Sequence, residues 1–122
     1  MRHLAALAAT LLATSALAQP PDPAKPTTID VTLVPKKVHE ECAQMKAGET
    51  LRYHWKSDTP VDFNIHYHRG NDVFYPVKRD AMRGDGGSFT AKTAEDYCWM
   101  WTAKNAKVKL DGRLENPKEA AK

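Results

Sequence analysis

The stretch that decides the fold is Asp96–Thr102, which reads DYCWMWT and alternates large aromatic side chains with smaller ones. Successive side chains of a β-strand point to opposite faces. One face carries the aromatic side chains Tyr97, Trp99 and Trp101, and the other carries Cys98 and Met100. Burying each aromatic residue stabilises a fold by about 1.5–3 kcal/mol, so the pattern predicts a core strand. The competing interpretation makes Trp99, Met100 and Trp101 candidate ligand contacts, with a tryptophan covering Cu(I) beside soft donors.

The same period of two runs through most of the chain and indicates an all-β fold. Segments of four to eight residues, rich in β-branched and aromatic types, lie at 29–34, 41–45, 50–55, 61–68, 72–77, 88–91 and 106–110. We prefer a strand to a short helix at 41–45. Turn residues separate them: KAGET at 46–50, SDTP at 57–60, RGND at 69–72 and RGDGG at 83–87. RGND is predicted to join two strands as a tight hairpin, and RGDGG supplies the glycines that a positive φ needs. The pattern predicts an antiparallel β-sandwich of about seven or eight short strands.

The first eighteen residues have the features of a cleaved signal peptide. A short basic start is followed by an uncharged apolar run that ends in Ala16-Leu17-Ala18, a small-x-small cleavage site. Residues 1–18 are therefore predicted to be a signal peptide, 19–28 a proline-rich linker, 29–112 the folded domain and 113–122 a polar tail. Because no second long apolar segment follows, we expect no transmembrane segment after cleavage. We expect the protein in the periplasm or secreted.

Two cysteines, Cys42 and Cys98, remain in a chain predicted to be exported. An even number of cysteines in an oxidising compartment favours a single intramolecular disulfide. The alternative is a pair of free thiols that bind a metal ion.

Histidines give the strongest metal signal in the sequence. His66 and His68 are two positions apart, so on a strand they share a face, and His54 has the same parity on the preceding segment. Three imidazoles that converged there would suit copper, zinc or nickel. The alternative is a solvated outer face that happens to contain histidine. A blue-copper site is excluded, because no histidine follows Cys98. No cofactor is predicted other than copper or zinc at these histidines.

Neither an enzyme nor a nucleic-acid-binding protein is indicated. The chain has no GxSxG, HExxH or glycine-rich phosphate-binding motif. The formal net charge is only +3, and no basic run alternates with aromatic residues.

The order of three segments resembles the GOLD domain, the β-sandwich of lumenal cargo receptors in the early secretory pathway. The segments are EECAQMKAGETLRYHW, VDFNIHYHRGNDVFYP and GGSFTAKTAEDYCWMWTAKN. The resemblance spans about residues 39–110 and implies a bridge between Cys42 and Cys98, together with a role in binding protein or ligand. It does not extend to the coiled coil, membrane span and sorting tail of that family.

The sequence therefore predicts a non-catalytic exported binding module with a disulfide-stapled GOLD-like β-sandwich. Its partner is a protein or small ligand that the sequence does not identify. The alternative is a periplasmic copper- or zinc-handling protein that uses surface histidines.

Overall fold

The computed structural model describes residues 26–117. It contains six strands in that range: β1 (Thr27–Leu33), β2 (Val38–Met45), β3 (Thr50–Arg69), β4 (Asp72–Thr90), β5 (Glu95–Ala103) and β6 (Val108–Glu115).

All six strands belong to one antiparallel sheet in the order β1-β6-β3-β5-β2, with β4 pairing to β3 alone. The first part of β3 pairs with β6 and its second part pairs with β5. The sheet curls into a half-barrel, and the aromatic side chains fill the concave side. The prediction of an all-β antiparallel fold is confirmed. The described residues form one curled sheet of six strands in place of the predicted sandwich of seven or eight.

The strands predicted at 50–55 and 61–68 are one continuous strand, β3, because residues 57–60 do not form a turn. β3 passes through this segment, and its pairing register with β4 shifts between Lys56 and Val61. Such an irregularity bends a strand without ending it and tolerates Pro60, which has no N–H to donate. Trp55 and Val61 are both buried, so the inward face is preserved across the bend.

The glycine-rich segment at 83–87 is also part of a strand and not a turn. The strands predicted at 72–77 and 88–91 are therefore one strand, β4. In residues 26–117 the glycines with positive φ are Gly48 and Gly70 only. A Cβ on Gly84 would lie 3.0 Å from the Trp55 carbonyl oxygen, and one on Gly86 would lie 3.3 Å from that of Tyr53. At these two positions glycine therefore permits a close approach of β3 and β4.

Two other local predictions are confirmed. The RGND segment joins β3 to β4 as a tight hairpin, in which Arg69 pairs with Asp72 and Gly70 adopts φ 61°. The ambiguous segment before the KAGET turn is a strand, β2, which pairs with β5 along its whole length.

The aromatic face of β5 forms the centre of the core, as the alternation predicts. Trp99 and Trp101 are 0% and 1% exposed. The ring centroid of Trp101 lies 5.5 Å from that of Phe63, and the centroid of Trp99 lies 5.7 Å from that of Phe89. The first pair is tilted and the second meets edge to face, which is a favourable geometry for aromatic rings.

The folded domain extends slightly beyond its predicted limits. β1 begins at Thr27, and β6 continues to Glu115 with Leu114 buried against the core. The predicted tail therefore starts later than 113, because residues 113–115 complete the last strand. The predicted signal peptide and residues 19–25 lie outside the described residues. Within the described range, no helix has the length and apolar character to cross a bilayer.

Candidate functional site

The disulfide between Cys42 and Cys98 is present and lies on the convex, outer face of the sheet. The two residues are direct cross-strand partners on β2 and β5, with Cα atoms 4.0 Å apart. Partners directly opposite each other in an antiparallel pair share a face, so the bridge lies opposite the buried tryptophans. The predicted disulfide is confirmed.

His66 continues the same row of the outer face, because it is the β3 partner of Cys98. The sequence placed it on a solvated surface, yet His66 is only 4% exposed and its neighbour Asn64 is also buried. Tyr75 from β4 covers the imidazole, with ring centroids 5.8 Å apart. This part of the outer face is therefore a covered polar cluster.

Both nitrogens of the buried imidazole face polar groups. Nδ1 lies 2.7 Å from the Asn64 Oδ1, an amide oxygen that accepts the Nδ1 proton. Nε2 faces a carboxylate oxygen of Glu40 at 3.4 Å. Burial lowers the pKa of His66 below its usual value, Glu40 opposes this shift, and His68 adds to it. Burial therefore favours the neutral imidazole at this site.

The structure brings two of the three predicted metal-binding histidines together. The rings of His66 and His68 meet edge to face with centroids 5.2 Å apart, and His68 is exposed. His54 lies on the first part of β3, between Gly86 of β4 and Arg113 of β6. The bend in β3 therefore places His54 in a different part of the sheet, away from the pair.

The three candidate ligand contacts on β5 are divided between the two faces. Trp99 and Trp101 lie in the core, which agrees with the packing interpretation. Met100 lies on the outer face, half-buried, between Glu40 of β2 and Asn64 of β3.

An exposed apolar surface that the sequence pattern does not predict lies along the start of β4. Val73, Phe74 and Tyr75 are consecutive, large and apolar, and they are 39%, 40% and 48% exposed. We call these three residues the β4 ridge. Among the strands of residues 26–117, β4 pairs only with β3, so the ridge is on an edge strand of the described sheet.

An aromatic cleft of about 550 Å³ opens beside the ridge. Its wall is a chain of ring contacts: Phe74 stacks on Tyr67 at 5.0 Å, Tyr67 meets Tyr97 at 5.2 Å, and Tyr97 meets Phe89 at 5.0 Å. The Tyr97 hydroxyl donates to the Thr93 carbonyl at 2.8 Å, so the ring at the base of the cleft is held in place.

Two cations flank the ridge. The Arg69 guanidinium lies 5.6 Å from the ring centroid of Phe74, and the Lys78 ammonium lies 5.5 Å from that of Tyr75. Arg69 is also paired with Glu95. The charge of Arg69 beside Phe74 is therefore balanced by Glu95, and Lys78 beside Tyr75 supplies the positive charge next to the ridge.

The sequence carries a signal for the ridge that the prediction of a strand at 72–77 does not use. Three consecutive large apolar residues, followed directly by Pro76, break the alternation that the other strands keep. A proline inside a strand pattern points to an edge strand, and an apolar run on an edge is exposed on one side.

Comparison with known proteins shows the class of fold, a small all-β domain. No family model and no curated protein matches the chain, so the GOLD resemblance is supported only as a general all-β likeness. The fold is similar to that of PliG from Aeromonas hydrophila, a periplasmic lysozyme inhibitor of g-type lysozyme. That match has a TM-score of 0.55 and 12% identity over 75% of this chain and 86% of that chain. It is also similar to the Yersinia pseudotuberculosis-derived mitogen, with a TM-score of 0.56 and 9% identity over 75% and 86% of the two chains.

Proposed function

We propose that this chain is a non-catalytic exported binding module that holds a protein partner through the β4 ridge and the adjoining cleft. The observation that carries the proposal is the run of three exposed large apolar side chains on an unpaired sheet edge. Burying one such side chain contributes about 1.5–3 kcal/mol, and aromatic residues dominate the energetics of interfaces.

The backbone of the ridge adds a second way to bind. Because β4 pairs on one side only, the N–H and C=O groups on its other side can pair with an extended segment of a partner. Pro76 offers no N–H, so the pairing would be confined to the three ridge residues and the hairpin before them. A short β-augmentation with apolar anchors would result.

Lysozyme-type glycosidases are the specific partners that we propose. PliG, whose fold is similar, is a periplasmic inhibitor of g-type lysozyme. Glycosidases carry a pair of carboxyl groups at the scissile bond. A ridge of rings with the Lys78 ammonium beside it would complement an acidic cleft of this kind.

Export is part of the proposal. The Cys42–Cys98 disulfide supports an oxidising compartment, as does the signal-like sequence of residues 1–18. The absence of a catalytic motif from the sequence and the inhibitor among its structural neighbours support a role without catalysis.

The test is inhibition of bacterial cell-wall lysis by purified g-type and c-type lysozymes in the presence of this protein. We expect inhibition of at least one class, weakened at least about 30-fold by Phe74→Ser, because a hot-spot residue contributes about 2 kcal/mol or more. Val34→Ser is the matched control, since Val34 is 52% exposed and lies outside the ridge. Lack of inhibition of both classes, or equal inhibition by the two variants, would refute the proposal.

A second candidate function is the handling of copper or zinc on the outer face, favoured by the edge-to-face contact of His66 and His68. The disulfide-bonded protein would then bind Cu(II) or Zn(II) weakly through two imidazoles. Calorimetry should detect a site that His66→Ala/His68→Ala abolishes and His54→Ala retains. Binding that survives the double substitution would exclude these histidines.

A further inference from the structure

Three strands place their donor atoms in one row of the outer face. Cys42 on β2 pairs with Cys98 on β5, and Cys98 pairs with His66 on β3. Directly opposed residues have Cβ atoms about 4.5–5.5 Å apart and share a face. Glu40 lies two positions before Cys42, on the same face of β2.

The ligand atoms of this row lie close together. One carboxylate oxygen of Glu40 and the sulfurs of Cys42 and Cys98 lie within 4.8 Å of one another, and this is the only such group of acidic, cysteine and histidine ligands in residues 26–117. His66 Nε2 lies 3.4 Å from Glu40 Oε1. The row therefore brings the two sulfurs and one Glu40 oxygen together, and His66, which is not in that group, adjoins it through its contact with Glu40.

The imidazole is already oriented as a ligand. When Nδ1 donates to Asn64 in the neutral imidazole, the lone pair of Nε2 is directed at the Glu40 carboxylate, 3.4 Å away. Both the neutral Nε2 and the carboxylate oxygen offer lone pairs, so a cation bound between them would interact favourably with both groups. Metal-bound histidines characteristically donate their other ring N–H to an oxygen in this way.

The disulfide controls whether the two cysteines of the row can bind a metal, because a cysteine binds a metal ion as the thiolate and a disulfide sulfur carries no such charge. Cys42 is exposed, so a reductant can reach its sulfur. A dithiol reductant would supply two electrons and two protons, giving two Cys thiols and becoming a disulfide itself. The continuous pairing of β2 with β5 and of β5 with β3 would hold the two thiols and the imidazole in register.

We propose that reduction of the Cys42–Cys98 bridge converts this row into a Zn(II) site with Cys42, Cys98, His66 and Glu40 as ligands. Two thiolates, one imidazole and one carboxylate form a tetrahedral set of the kind that zinc takes in proteins. Binding would release the two thiol protons. The site goes beyond the proposed protein partner, since it uses neither the exposed ridge residue Phe74 nor the cleft.

The experiment compares zinc binding by the purified full chain in its oxidised and reduced forms, with a chromophoric chelator as competitor. The protein is reduced with a phosphine that is then removed without oxygen. We expect one equivalent of zinc per reduced chain, with affinity at least about 100-fold higher than that of the oxidised chain. Co(II) in place of zinc should give thiolate-to-cobalt charge-transfer absorption and the visible bands of tetrahedral cobalt.

Variants separate the folded site from a simple dithiol. His66→Gln should weaken zinc binding by the reduced chain at least about tenfold and change the cobalt spectrum, whereas His54→Gln should change neither. Equal affinity in the His66→Gln protein, or no difference between oxidised and reduced chains, would overturn the proposal. If the reduced chain is unfolded by circular dichroism, zinc should refold it; a reduced chain that stays unfolded with zinc would also overturn it.

Discussion

Removing the disulfide by Cys42→Ser with Cys98→Ala should lower the free energy of unfolding by about 4 kcal/mol. The bridge joins residues separated by 56 positions. The loop-entropy relation assigns such a loop about 14 cal/mol/K, which is about 4 kcal/mol at 25 °C. Alanine is chosen at the buried Cys98 to avoid an unsatisfied hydroxyl, and serine is tolerated at the exposed Cys42.

The assay is equilibrium unfolding in urea, followed by tryptophan fluorescence and circular dichroism. A loss of this size corresponds to a decrease in thermal midpoint of about 15–30 °C for a domain of this length. Val38→Ser with Thr102→Ala is the matched control, because Val38 and Thr102 are another directly opposed pair on the same strands and face. We expect the control to cost less than about 1 kcal/mol. If removing the bridge costs no more than the control does, the entropic account of the disulfide is refuted.

Three further predictions concern the core, the buried histidine and one close backbone approach. Trp101→Ala should cost about 3–5 kcal/mol in urea unfolding, because the ring is 1% exposed; an unchanged midpoint would show that the residue is not packed in the core. Because the pKa of His66 is lowered in the folded protein, the unfolded chain binds more protons just below pH 6.5, and the free energy of unfolding should fall as the pH falls from 7 towards 5. His66→Gln should flatten this dependence of stability on pH. An identical slope in the variant would exclude His66 as its source. Gly112→Ala should lower the free energy of unfolding by about 1–3 kcal/mol, because the new Cβ would lie 2.9 Å from the His54 carbonyl oxygen. Gly87→Ala meets only ordinary contacts and should cost less. Thermal unfolding that ranks the two variants in the opposite order would contradict this prediction.

The parts of the fold that could be predicted are those in which local pattern and burial agree. The alternation around Trp99 and Trp101 identifies a core strand because one face is fully buried. The disulfide followed from the number of cysteines and the expected compartment. Both inferences need only the side-chain period of a strand and redox chemistry.

The length and curvature of the strands could not be predicted in the same way. Pro60 and Gly84 are turn-type residues in a sequence, yet here one lies at a register shift and the other at a close approach to Trp55. Which role such a residue takes depends on the strand beside it. The merging of eight predicted segments into six strands is a tertiary property.

The candidate site depended on the same tertiary information. His54 has the parity of His66 and His68, but the bend in β3 gives it different neighbours. The burial of His66 comes from Tyr75, which the sequence places nine residues away and across a hairpin. The exposure of the β4 ridge depends on the absence of a second partner for β4, which no local pattern reveals.

The measurement that tests the central claim most directly is the amide hydrogen-exchange footprint of this protein in complex with a lysozyme that it inhibits. The account predicts slower exchange at the β4 amides from Val73 to Tyr75 that are not bonded to β3. It predicts unchanged exchange in β1, on the opposite edge of the sheet. Protection confined to β1 or to another region, with the β4 ridge exchanging as in the free protein, would contradict the claim that β4 is the binding edge.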